Sequence, residues 1–264
     1  MADCSIVSLF SGSGGNAYLY TCGDTRILID CGGSARAIVT ALAACGTTPA
    51  GLGAIFITHE HSDHTKALRV LLKKDPVPVH IPAPCYEVLT AEGTIRAGEP
   101  FIPHPPLYSV KVGAFSVSSF ETSHDSVCCV GYRITAEGED GTKRSFVHAT
   151  DTGCVTESLC EALVGAEAAV LEANHDENML LIGSYPYEIK RRILSAEGHL
   201  SNTDCAALAA QAARGGTRAV LLAHLSEENN YPALAEETVM HAIRTAGCDC
   251  RVLTAMPKTP VTLL

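Results

Sequence analysis

The chain has 264 residues, of which 47% are hydrophobic and 18% charged, with a formal net charge of −10; that is enough apolar material for one large core or two small ones and excludes a disordered chain. The negative balance argues against the broad basic footprint used for non-specific duplex binding. No run of about 18 apolar residues is present to span a bilayer, and residues 1–20 lack the basic start and apolar stretch of a signal peptide, so a cytoplasmic location without membrane association is expected.

Short β-like runs at 5–9, 17–21, 26–30 and 54–58 are separated by Gly-rich turns, with a helical segment near 35–44 before the fourth. Ser62 or Asp63 is suited to cap a helix over about 65–73, and strands follow at 77–81, 114–121, 130–135 and 143–149. A second series contains a helix near 156–163, a strand at 168–172, helices near 186–194 and 203–214, a strand at 219–223, a helix at 233–246 and a strand at 250–254. Two such rounds predict an α/β chain with two sheets packed face to face and helices outside. No low-complexity linker interrupts them, so residues 1–264 are read as one domain.

The twelve cysteines never form C-x-x-C, which leaves a zinc ribbon or a thioredoxin-like site without support; they read as small, buried apolar residues. Two basic clusters, Lys66/Arg69/Lys73/Lys74 and Lys190/Arg191/Arg192, read as solvated helix faces ahead of phosphate tracks. Gly12, Gly14 and Gly15 lack the spacing of a nucleotide-binding loop and suit a tight turn that brings backbone close to a substrate.

The segment FITHEHSDH, residues 56–64, crowds His59, His61 and His64 with Glu60 and Asp63 at the end of an apolar run. Such crowding is costly unless something binds the side chains, and a metal ion answers the cost. In an extended segment His59 and His61 project to one side and can grip one ion. Asp63 and His64, past the turn, are suited to a second, with the helix starting beyond them. Imidazole with carboxylate and no thiolate suits zinc, manganese or iron without choosing among them.

His59, His61, Asp63 and His64 form an intact H-x-H-x-D-H motif, and in this the sequence resembles the metallo-β-lactamase superfamily. ILIDCG with Asp30, TSHD with His124, ATDTG with Asp151 and LAHLS with His224 follow in the order of that superfamily. The resemblance implies a four-layer αββα sandwich holding two divalent ions, Zn2+, Mn2+ or Fe. His59, His61 and His124 would hold one ion, Asp63, His64 and His224 the other, with Asp151 bridging and Asp30 orienting the histidine loop. SGSGGNAYL, LEANHDENML, GSYPYEIKRRI, GHLSN and AHLSEENN narrow the resemblance to the YycJ/WalJ family of metal-dependent DNA exonucleases. About 20 residues separate Asp151 from Glu172, too few for the inserted domain of β-CASP nucleases, and 26 separate His124 from Asp151, too few for a long tRNA-gripping arm.

The implied activity is a dinuclear phosphodiesterase, a 5′-to-3′ DNA exonuclease in which a hydroxide shared by the ions attacks the phosphate. The expected catalytic residues are Asp63, as ligand, His199, as general acid or phosphate contact, and Glu172, orienting His199. Asn174, His175 and Asn229, in the loop 174–178 and after His224, are candidate substrate contacts. The alternatives are a thioesterase or lactamase-type hydrolase on the same fold and a non-catalytic metal-binding regulatory protein.

Overall fold

The computed structural model describes residues 4–96, 98–138 and 140–264. The first half begins with strands β1 (Cys4–Phe10), β2 (Ala17–Cys22) and β3 (Thr25–Ile29), then helix α1 (Ala35–Ala44) and β4 (Ala54–Phe56). Short helices α2 (Ser62–Thr65) and α3 (Leu68–Lys74) lead to β5 (Val79–Pro82), α4 (Ala83–Ala91) and β6 (Phe101–His104). The second half runs β7 (Ser109–Val112), β8 (Phe115–Glu121), β9 (Val130–Glu137), β10 (Lys143–Ala149), α5 (Glu157–Leu163) and β11 (Ala168–Glu172). It ends with α6 (Glu177–Ile182), α7 (Tyr187–Ile193), α8 (Asn202–Arg214), β12 (Ala219–Ala223), α9 (Pro232–Thr245), β13 (Arg251–Thr254) and β14 (Val261–Thr262).

Among the described residues the strands form two seven-stranded sheets, ordered β14-β1-β2-β3-β4-β5-β6 and β13-β12-β11-β10-β9-β8-β7. Each is antiparallel on one side and parallel on the other: β3, β4, β5 and β6 run parallel in the first, and β10, β11, β12 and β13 in the second. Strands such as β11 and β12 are buried at every residue, as expected where both faces of a parallel sheet are covered. Tyr18, Phe56, Phe115, Tyr132 and Phe146 fill the space between the sheets. Outside, Ile38 and Leu42 of α1 and Leu68 and Leu72 of α3 cover the first sheet, while Leu159 of α5, Ala209 of α8 and Val239 of α9 cover the second. This is the expected αββα layering.

Several elements depart from expectation. The segment after the histidine motif is not one helix over 65–73: α2 starts at Ser62, with His61 as its N-cap, so Asp63 and His64 sit inside the first turn and neither Ser62 nor Asp63 caps. Residues 174–178 are not all loop, because Asp176 caps α6 by accepting from Met179 N at 2.9 Å. Helix α4 and strands β6 and β7 were unexpected: Pro82, Pro84 and Pro103 punctuate a region whose apolar pattern is weak. The twelve cysteines are free, six buried and six half-buried, as the absence of paired spacing implies.

Candidate metal centre

Parallel strands of both sheets end at one place, and the residues just past those ends converge there. Asp30 follows β3, His59 and His61 follow β4, Asp151 follows β10, Glu172 ends β11 and His224 follows β12. Asp30, Asp151 and His224 have φ of 60°, 57° and 56°, and among the described residues they are the non-glycine residues with positive φ. Left-handed backbone costs a residue with a Cβ of order 1 kcal/mol or more. Here it turns the chain sharply at the strand end and returns the side chain over the sheet.

Two loops brace the histidine motif through backbone. Asn16 N donates to Asp63 O at 2.8 Å, Gly32 N to Asn16 O at 2.8 Å and Cys31 N to His64 O at 2.7 Å. A Cβ on Gly32 would lie 1.7 Å from Asp63 O, so only glycine fits. The Asn16 amide also reaches Asp63 Oδ2 at 3.3 Å and His64 Nε2 at 3.1 Å. Gly12 N and Gly12 O bond the same Asn16 side chain, and Gly15 packs on Gly33 so closely that an added Cβ would meet Gly33 N at 2.5 Å. Gly12 and Gly15 of SGSGGN thus serve the site's backbone frame.

His59, His61 and His124 bring donor atoms within 4.8 Å of one another, and so do Asp63, His64 and His224. Asp151 lies between the two sets: Oδ2 is 3.2 Å from His64 Nε2, and Oδ1 is 3.7 Å from His124 Nε2 and 3.5 Å from His224 Nδ1. Four of the five imidazoles, all but His61, are aimed by the bond their other nitrogen makes. His64 Nδ1 meets Asp30 Oδ2 at 2.8 Å, His124 Nδ1 meets Gly198 O at 3.0 Å, His59 Nδ1 meets Thr58 Oγ1 at 3.0 Å and His224 Nδ1 meets Glu172 Oε1 at 2.9 Å. Asp30 is fixed in turn by Thr58 N at 2.9 Å. Glu60 joins the two histidine loops, accepting from Ser126 Oγ at 2.8 Å and Val127 N at 3.0 Å.

The donor set fits divalent ions by its own accounting. Among the described residues His59 Nε2, His224 Nε2 and Asp151 Oδ2 are buried without a well-formed hydrogen bond, although Asp151 Oδ2 lies 3.2 Å from His64 Nε2 and His224 Nε2 3.5 Å from Asp63 Oδ2. Buried polar atoms without partners cost ~1–3 kcal/mol each. Burial pushes the Asp63 and Asp151 carboxyls up, but the neighbouring His64 and His224 win and hold both below the usual carboxylate range. Burial pushes the His64 and His224 imidazoles down, but the neighbouring carboxylates, Asp30 and Asp151 foremost for His64 and Asp151 for His224, lift both well above their ordinary value. Divalent cations compete for those same lone pairs and displace the protons.

At the rim, His199 Nδ1 meets Glu172 Oε1 at 2.8 Å, and Glu172 Oε2 accepts from Thr152 N at 2.8 Å and Leu200 N at 3.3 Å. Burial raises the Glu172 carboxyl, yet His199 and His224 outweigh it and hold it below the usual range. Ser201 of GHLSN caps α8 by accepting from Asp204 N at 3.1 Å. His199 is therefore set by a helix cap on one side and by Glu172 beneath.

The expected substrate contacts divide. Asn174 donates to His224 O at 2.8 Å and borders a cavity beside His199 and His224. His175 and Asn229 are 1% exposed, which leaves them little surface to offer a substrate; Asn229 bonds Ser226 Oγ at 3.2 and 3.4 Å, a loop-fixing position. Four residues that sequence reasoning missed touch the site or its neighbours: Asn16, Thr58, Asp125 and Arg192. Asp125 Oδ1 lies 3.3 Å from His124 Nε2, and its Oδ2 accepts from Arg192 Nε. Asp125 was visible as the D of TSHD, but its partner is 67 positions away.

Residues 25–225 match the model of the family described as the beta-lactamase superfamily domain. The exodeoxyribonuclease WalJ of Streptococcus pneumoniae is 33% identical over 263 residues, covering 97% of this chain and 95% of that protein. The exodeoxyribonuclease YycJ of Bacillus anthracis is 34% identical over 244 residues, covering 90% and 89%. Among solved structures, the metallo-beta-lactamase fold protein YhfI of Bacillus subtilis aligns with a TM-score of 0.71 at 21% identity, covering 98% and 99%, a likeness of fold. With converging strand ends, two imidazole–carboxylate clusters and this similarity along almost its whole length, the chain belongs to the metallo-β-lactamase superfamily and, within it, to the hydrolase family of WalJ and YycJ.

Proposed function

We propose that the protein is a phosphodiesterase acting on DNA as a 5′-to-3′ exonuclease, with two divalent ions, Zn2+ or Mn2+ with Fe as a further candidate. His59, His61 and His124 would hold one ion and Asp63, His64 and His224 the other, with Asp151 shared. The observation that carries this reading is the pair of compact donor sets on either side of Asp151, with nitrogens and an oxygen buried between them that make no well-formed hydrogen bond. The names of the two relatives, exodeoxyribonucleases, support DNA as the substrate. We also treat residues 1–264 as one catalytic unit without a β-CASP insertion, an assignment supported by the fact that both sheets supply site residues.

Divalent ions bound there supply Lewis acidity and make water a competent nucleophile near neutral pH. The chain's own residues do the rest. Asp30 and Thr58 hold His64 in one orientation, and Gly198 O does the same for His124. Glu172 fixes His199 through Nδ1, which leaves Nε2 to face the leaving oxygen and deliver a proton to it. A thioester releases a thiolate, a much weaker base than the alkoxide of a nucleotide, and so has less need of a dedicated acid in that position. A panel of a phosphodiester dye, a thioester and a cephalosporin tests the reading: turnover of the diester alone is expected, whereas preferred turnover of the thioester or cephalosporin overturns it.

A further inference from the structure

Two of the twelve cysteines stand in a relationship that neither packing nor the metal centre requires. Cys4 and Cys22 face each other in register across the antiparallel β1–β2 pair, and their sulfurs lie 2.8 Å apart. The thiols of Cys85, Cys129, Cys248 and Cys250, by contrast, turn to backbone carbonyls. Directly opposed residues of antiparallel strands have Cα atoms about 4.5–5.5 Å apart, inside the ~4.4–6.8 Å window that a disulfide needs. Bonded sulfurs sit ~2.05 Å apart, so about 0.8 Å is left to close. Both side chains are buried in the apolar cluster between the sheets. Cys4 opens β1, and Cys22 ends β2 beside the exposed turn Gly23–Asp24. The pair therefore sits at the end of the hairpin away from the metal donors, which follow the opposite ends of β3 and β4. Between the two cysteines the chain runs through the 11–16 loop, whose Asn16 braces Asp63 and His64.

We infer that Cys4 and Cys22 are a redox-responsive pair that closes to a cross-strand disulfide by exchange with a small-molecule disulfide of the glutathione class, stapling β1 to β2. A strand end beside a turn opens locally without unfolding the sheet, which gives the reagent its access. The Cys4 thiol donates to Cys22 Sγ, so Cys22 is the sulfur that attacks first. Burial, and after it the bond to Cys22, push the Cys4 thiol up to about 12, and it keeps its proton through this step. The Cys22 thiolate bonds to one sulfur of the small disulfide, whose own S–S bond breaks and whose other half leaves as a thiolate. Cys4, deprotonated in its turn, then attacks the Cys22 sulfur of the mixed disulfide and expels the second half. Two protein thiols are oxidised by two electrons in all, the small disulfide is reduced to two thiols, and these take up the two protons. The closed link encloses residues 5–21 and so removes freedom from the unfolded chain. It involves no donor of the metal centre, and it is independent of the reaction proposed there.

The test equilibrates the full-length protein, folded or in urea, with mixtures of reduced and oxidised glutathione. Exchange is stopped with acid, the remaining thiols are alkylated after denaturation, and the peptides are mapped by mass spectrometry. From the folded protein the Cys4 and Cys22 peptides are expected as one linked species. The equilibrium constant for linkage should be about tenfold or more above its value in urea, because a link that stabilises the folded chain is favoured by folding to the same extent. Oxidation should also raise the melting midpoint by about 5–10 °C, the scale for a loop of this length in a chain of this size. That rise should be absent from Cys4→Ala and from Cys22→Ala. Full alkylation of both cysteines in the most oxidising mixture overturns the inference, as does a linkage constant that is the same in folded and unfolded chain. A mixed disulfide on Cys22 that never proceeds to closure overturns it too, and so does a rise in midpoint that persists in the alanine variants. Should either variant fail to fold, the peptide map and the linkage constant of the unaltered protein decide the matter alone.

Discussion

Glu172 and His199 are joined by a 2.8 Å bond between Oε1 and Nδ1, and the carboxylate that makes it is fully buried. The same Oε1 lies 2.9 Å from His224 Nδ1, so one oxygen aligns an expected metal ligand and the expected general acid.

His199→Ala is expected to retain both metals and lose about 10²-fold or more in turnover on DNA, the usual scale for a positioned general acid. A nitrophenyl phosphodiester, whose leaving group needs little protonation, should be spared. Glu172→Gln should lower DNA turnover and also weaken metal retention, because it loosens His224 as well. Normal DNA cleavage by His199→Ala with metals intact would remove the acid from the mechanism. Metal analysis alongside steady-state kinetics on the two substrates reads all of this.

Asp151 and Asp30 differ in what they touch. Asp151 lies between the two donor sets, whereas Asp30 contacts Thr58 and His64 Nδ1. Asp151→Ala is expected to abolish metal occupancy and hydrolysis together, and Asp30→Ala to weaken metal affinity about 10–100-fold while leaving measurable activity at high metal concentration. Calorimetric metal titration of both variants checks this, and equal losses would contradict the roles given to them.

The backbone frame makes its own prediction. Gly32→Ala puts a methyl group 1.7 Å from Asp63 O, where the neighbouring atoms are backbone and cannot rotate away. A loss of about 3 kcal/mol or more in unfolding stability is expected, with metal affinity falling in parallel. Denaturant titration measures it; an unperturbed midpoint would mean that the 31–33 and 63–64 segments are not packed as described.

Away from the site, His80 stacks on Phe56 at 4.7 Å and its Nδ1 lies 2.8 Å from His104 Nε2. Burial first, and the His104 charge second, push it from 6.5 down to about 4. Below pH 6.5 the unfolded chain takes up a proton that the folded chain refuses, so stability falls as pH drops from 6.5 towards 4 and is unaffected by this group above that window. His80→Phe removes the refusal. Relative to the unaltered protein it should gain on the order of 2 kcal/mol between pH 7.5 and pH 4.5. Urea midpoints at the two pH values decide it, and a constant difference would exclude the effect.

Much of this architecture can be read in the residues. Strands such as 168–172 and 219–223 are continuous apolar runs of sheet-core length, and α1 over 35–44 is announced by Ser34 and ends near Gly46, so pattern and punctuation agree. The four residues of the H-x-H-x-D-H motif are legible because they are adjacent in sequence. The weaker elements are not: β6 carries Pro103 at a sheet edge, and α6 hides behind the polar cap Asp176. Asn16, Thr58 and Arg192 escape for another reason. Asn16 meets Asp63 across 47 positions and Arg192 meets Asp125 across 67, and a sequence read locally carries no sign of such pairs. Conversely, Asn229 was attractive by composition but is used to fix its own turn through Ser226.

The most direct measurement follows product release from 5′-end-labelled DNA by metal-depleted protein, before and after addition of Mn2+ or Zn2+, with bound metal quantified on the same samples. Labelled mononucleotide should appear first and only after metal is restored, with two ions per chain at full activity. Hydrolysis that proceeds without metal, or restored protein with two ions that leaves DNA intact while cleaving a thioester or a cephalosporin, would contradict the account.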